Sequence, residues 1–77
     1  MLDWLIAIRK KERWSRLAIA EELGVSRQAY YSYETGHRKV SPEKAKKIAE
    51  ILKFDNFGID WTKFYDDITE SKSSDTA

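Results

Sequence analysis

Residues 16–35, RLAIAEELGVSRQAYYSYET, decide the reading of this chain. They divide into two short amphipathic helices about a glycine. In the first, Ile19, Ala20 and Leu23 share one face. Gly24 follows, where the helix must stop and reverse, because the left-handed backbone costs glycine least. Val25 plugs the turn, and Ser26 stands where a hydroxyl caps the next helix. That helix places Ala29, Tyr30 and Tyr33 on one side and Arg27, Gln28, Tyr31 and Ser32 on the other. A guanidinium, an amide, a phenol and a hydroxyl on one exposed face are groups able to hydrogen-bond base edges.

This register is a helix-turn-helix signature and points to sequence-specific DNA binding. Upstream, Leu5, Ile8 and Glu12 fall at helical spacing, with Trp4 and Ile6 widening the apolar face, so a first helix is expected over about residues 2–12. Trp14 is a bulky plug and Ser15 a cap for a second helix over 16–23; the third spans 26–34. Gly36 stops the third helix, and His37, Arg38, Lys39 and Val40 make a basic loop. Ser41, Pro42 and Glu43 open a fourth helix as cap, first residue and acidic first turn. Ala45, Ile48, Ala49 and Leu52 form its inner stripe, while Lys44, Lys46, Lys47, Glu50 and Lys53 point outward. Asp55, Asn56 and Gly58 then break the helical pattern in a stretch rich in aromatics. A short fifth helix is expected over 60–67 with Asp60 as its cap. Trp61, Phe64 and Tyr65 either complete the small core or form a dimer interface. The expected fold is all-α, a compact bundle of four to five helices. Residues 1–67 make the domain, and residues 68–77 a disordered polar tail.

At 77 residues the chain is one domain with a modest core. It has no cysteine, which excludes disulfide scaffolding and thiolate–zinc sites and favours an intracellular, cytoplasmic setting. No apolar run approaches the roughly 20 residues of a membrane span. At the N-terminus apolar residues precede basic ones, the wrong order for a secretory signal. The net charge of +1 conceals an asymmetry: residues 1–53 carry 12 Lys/Arg against 7 Asp/Glu, and residues 54–77 carry 2 against 6. The helical part is thus basic, as a surface facing phosphates should be. Catalysis finds no support. His37 is the only histidine, no glycine-rich phosphate loop or metal-ligand cluster is present, and Asp66 with Asp67 reads as a solvated pair. No cofactor, metal, membrane or small-molecule ligand is expected.

The segment LGVSRQAYYSYETGHRK resembles the helix-turn-helix core of the lambda-repressor/Cro family of phage and bacterial regulators, the Xre-like group. The resemblance runs from Leu5 to about Leu52. It is carried by IRKK in the first helix, the Ala20 to Gly24 spacing, GVSR at the turn, YETG after the third helix, and the basic loop before Ser41-Pro42. It implies a bundle of four or five helices that binds double-stranded operator DNA, usually as a homodimer on an inverted repeat. The chain then reads as a prophage or bacterial repressor of the Cro type. In this family the third helix enters the major groove, so Arg27, Gln28, Tyr31 and Ser32 become the candidates for base contact. Arginine can give two hydrogen bonds to guanine and glutamine two to adenine. The Tyr31 ring can touch a thymine methyl, or its hydroxyl a phosphate. Ser15, Arg16, His37, Arg38 and Lys39 are the candidates for phosphate contact. The resemblance also implies a brace between Arg9 and Glu34 that fixes the third helix on the bundle.

Three positions depart from the family pattern. Arg16 stands where a glutamine often binds phosphate and braces the third helix; arginine keeps the phosphate contact and adds charge, and leaves the amide bridge open. Arg13 stands where glycine is frequent, so the first helix is expected to close differently. Leu17 replaces a polar residue and is either covered by the aromatic segment or left as an exposed apolar contact. The alternative function is a protein-interaction module on the same fold, an antitoxin or adaptor in which Arg27, Gln28 and Ser32 are incidental.

Overall fold

The computed structural model describes residues 1–65. Among them are four α-helices, α1 (Asp3–Lys11), α2 (Arg16–Leu23), α3 (Arg27–Thr35) and α4 (Pro42–Ile51), and no strand. Two 3-10 helices follow, Phe54–Phe57 and Trp61–Tyr65. The polar tail expected over residues 68–77, the Asp66-Asp67 pair and the end of the expected fifth helix lie outside the described residues. Within them, that fifth helix is a 3-10 helix rather than an α-helix, opened by Asp60, whose carboxylate accepts from the backbone N–H of Thr62 at 2.9 Å and from its hydroxyl.

Hydroxyl caps set where three helices begin. Ser15, Ser26 and Ser41 accept from the backbone N–H groups of Ala18, Ala29 and Lys44 at 3.0, 3.1 and 3.3 Å. Each satisfies a donor that has no partner inside its own helix. α2 stops at Gly24, where φ is +72°. There the Val25 N–H reaches back to the Ala20 carbonyl at 3.0 Å and the Gly24 N–H to that of Glu21 at 3.2 Å, a Schellman closure. A Cβ on Gly24 meets nothing within 4 Å, so glycine is needed there for its backbone angle and not for space.

α1 closes by the same motif, against the expectation from Arg13. The Trp14 N–H donates to the Arg9 carbonyl and the Arg13 N–H to that of Lys10, both at 3.0 Å. Arg13 itself takes the left-handed conformation, φ +63°. The substitution for glycine therefore leaves the geometry in place and installs a Cβ where the backbone disfavours one.

The core is formed by Leu5, Ile8, Ile19, Ala20, Tyr30, Tyr33, Val40, Ala45, Ile48, Leu52 and Phe54. These are mostly the inner-face residues of the periodic pattern, so burial of one stripe per helix drives the assembly. Val40 is an exception. Its sequence context reads as basic loop, yet its side chain is buried. The aromatic segment closes one end of this core. Trp4 packs edge-on against Phe54 and Phe64, with ring centroids 5.8 and 5.2 Å apart. The Tyr65 hydroxyl donates to the Val40 carbonyl, and the Lys46 ammonium lies 5.0 Å over the Trp61 ring. Trp61 and Phe64 are half-buried against the core, so they extend it in the single chain.

Candidate nucleic-acid interface

α3 is held in the bundle by a carboxylate at its C-terminal end. Glu34 is fully buried and accepts three side-chain donors: Arg9 Nε at 2.6 Å and the Tyr30 hydroxyl at 2.8 Å on one oxygen, and Arg16 Nε at 2.9 Å on the other. Arg9 also donates from Nη1 to the Trp14 carbonyl at 2.9 Å, and the Glu34 carbonyl accepts from the Leu2 N–H at 2.7 Å. One residue thus ties α1, the start of α2 and the body of α3 together. A buried charge is tolerated only when paired and fully hydrogen-bonded. Here no buried side-chain nitrogen or oxygen among the described residues lacks a partner. Burial and the bond to Glu34 push the Tyr30 phenol well above its ordinary pKa.

Two participants in this network were not assigned to it from sequence. Tyr30 reads as an inner apolar residue; its spacing of one turn from Glu34 is the signal that could have found the bond. Arg16 reads as a phosphate ligand in place of a glutamine, with the amide bridge to the third helix left open. It does bridge to α3, through Glu34 rather than through an amide. Its guanidinium also lies over the Tyr31 ring, 5.0 Å from ring carbon centroid to Cζ. Arg16 keeps a side-chain exposure of 39 %.

The outer face of α3 is open. Arg27 and Gln28 are exposed on its first turn, and Tyr31 follows at 43 % exposure. Ser32 is half-buried, and its hydroxyl donates to the Gln28 carbonyl at 3.0 Å, leaving its lone pairs outward as acceptors. An open groove runs between the first turns of α2 and α3, with Ser15, Arg16 and Leu17 on one wall and Arg27, Gln28 and Tyr31 on the other; Arg9 contributes to its lining. Leu17 is 51 % exposed there, so it is not covered by the aromatic segment. Beyond α3, His37, Arg38 and Lys39 are exposed. The loop is anchored to α3 by the Arg38 N–H on the Ser32 carbonyl at 3.2 Å and by a 3.0 Å contact between Thr35 Oγ1 and His37 Nδ1. Cationic and polar groups thus flank an exposed helix at both ends.

Residues 5–55 match the model of the family described as Helix-turn-helix. The chain belongs to the lambda-repressor/Cro-like helix-turn-helix family. Among curated proteins, the HTH-type transcriptional regulator AnsR of Bacillus subtilis (strain 168) is 38 % identical over 51 residues, 66 % of this chain and 44 % of that protein. The chain therefore spans less than half the length of this helix-turn-helix relative. No solved structure matches. Neither comparison is with an enzyme. Among the described residues no group of His, Cys, Asp or Glu is disposed to hold a metal, and no helix is long and apolar enough to cross a membrane.

Proposed function

We propose that this chain is a sequence-specific DNA-binding transcriptional regulator that reads an operator through the major groove. The carrying observation is the exposed first turn of α3, with Arg27 and Gln28 outward, on a helix whose far end is fixed by the buried Glu34 network. A reading helix needs both features: free donors and acceptors at its start, and an orientation that does not drift. Arg27 and Gln28 are the principal base contacts, with Ser32 one turn further along. Ser15, Arg16, His37, Arg38 and Lys39 hold backbone phosphates on either side. Membership of the family and the likeness to AnsR support this reading. A homodimer on an inverted repeat, a Cro-type repressor role and a cytoplasmic setting follow from the same family logic.

Selection of bound sequences from a random DNA pool at moderate salt tests the proposal. Enrichment of one motif, with its symmetry giving the half-site spacing, is the expected outcome. Binding without preference over bulk DNA sinks it and leaves the interaction-module alternative. Within an enriched site, Gln28→Ala is expected to relax preference at one base pair, at a cost of about 1–3 kcal/mol for the favoured base.

A further inference from the structure

We infer that Arg16 is a specificity-positioning residue: it sets what the recognition helix reads by fixing the Tyr31 side chain. The inference rests on the reading of α3 as the base-reading helix and goes beyond it. Arg16 is itself restrained from both sides. Its Nε donates to the fully buried Glu34, and its Cζ lies 5.0 Å over the Tyr31 ring. Tyr31 is 43 % exposed on the wall that also carries Arg27 and Gln28. An exposed tyrosine on a helix has more than one open rotamer, and a planar guanidinium over one ring face selects among them. The ring is therefore presented in one orientation before any partner arrives.

Glu34 keeps a cationic partner without Arg16. Arg9 neutralises it at 2.6 Å, and the Tyr30 hydroxyl adds a second donor. Loss of Arg16 thus leaves the carboxylate a cationic partner on one oxygen but takes the donor from the other, so some loss of stability is expected while the bundle still folds. Also lost is the restraint on Tyr31, an effect on reading that a lower Tm by itself does not produce. A residue that only held a phosphate would weaken every sequence alike.

The test compares sequence preference by random-pool selection and competition binding for the wild-type chain, Arg16→Gln, Arg16→Lys, Tyr31→Ala and the double variant Arg16→Gln/Tyr31→Ala. Thermal unfolding of each variant is measured in parallel. Arg16→Gln and Tyr31→Ala are expected to shift preference at the same base position, by roughly two- to fivefold, the scale of an exposed cation–π contact. The double variant should show no shift beyond that of Tyr31→Ala. Arg16→Lys loses the planar fork but keeps a charge that can still lie over the ring, so it should shift preference less than Arg16→Gln does while keeping the wild-type salt dependence. Arg16→Gln lowering affinity for all sequences by one factor, in both Tyr31 backgrounds, overturns the inference, as do shifts at two different positions. A wild-type chain with no preferred sequence overturns the parent reading, and this one with it.

Discussion

Arg13 holds a left-handed backbone that its Cβ disfavours, and the hydrogen bonds of the α1 closure keep it there. A left-handed non-glycine residue costs about 1–2 kcal/mol, offset in part by the smaller unfolded-state entropy of a residue with a side chain. Arg13→Gly is therefore expected to stabilise the domain by about 1 kcal/mol, a rise in Tm of roughly 4–8 °C for a domain of this size. Calorimetry of the two proteins checks it. Tyr30 gives a pH dependence of definite sign. Its phenol ordinarily titrates at 10.0, and burial first, then the bond to Glu34, raises that value in the folded chain. Above pH 10 the unfolded chain loses this proton while the folded chain keeps it, so the unfolded state binds fewer protons and stability falls as pH rises. The contribution is fully present below pH 10 and is lost as the pH climbs toward the folded value. Urea midpoints through this alkaline range should fall more steeply for the wild type than for Tyr30→Phe. Neither residue announces its role in the sequence. Arginine at 13 argues against a left-handed turn until the chain is folded, and a tyrosine on an inner face looks apolar until its hydroxyl has an address.

The helices themselves were legible because their boundaries are chemical. Serine before each of α2, α3 and α4, glycine after α2 and α3, and proline at the first position of α4 are local signals that tertiary packing did not override. The segment after α4 was less legible. Phe54, Phe57, Trp61, Phe64 and Tyr65 recur at helical spacing, which favours a helix, yet Gly58 at φ +70° breaks it, and short 3-10 turns need only a few residues and one capping carboxylate. Their arrangement is decided by what they pack against, chiefly Trp4 and the end of α4. Phe64→Ala removes a half-buried ring packed against both Trp4 and Phe54, whose centroids lie 5.2 and 6.0 Å from its own. A loss of about 2 kcal/mol is expected, below the 3–5 kcal/mol of a fully buried phenylalanine. Denaturant titration measures it, and a loss below 0.5 kcal/mol (about a normal surface substitution) would show that the segment adds little to the core.

Across the whole molecule, residues 1–53 are basic and residues 54–77 acidic, and the basic part contains both the exposed start of α3 and the loop after it. That division was readable from composition. Which cations face outward was readable only in part: the resemblance set Arg9 apart as a brace but read Arg16 and Arg38 alike as phosphate contacts, whereas Arg16 is half-exposed on Glu34 beside Tyr31 and Arg38 is exposed. Arg38→Ala should accordingly weaken binding to preferred and random DNA by one common factor and reduce the slope of log affinity against log salt by about 1. Titrations at several salt concentrations would expose an error here as a change in preference between sequences. The cluster of rings around Trp4 has a practical consequence. Among the described residues that line the groove between α2 and α3 the aromatic one is Tyr31; Trp4 and Trp61 lie at the aromatic end, and Trp14 immediately precedes the groove's Ser15. Indole fluorescence excited at long wavelength should therefore follow the opening of the aromatic end through Trp4 and Trp61, and Trp14→Phe removes the indole that stands beside the groove. Melting of that variant is then observable in an unlabelled protein without an indole at the groove to mix in events there.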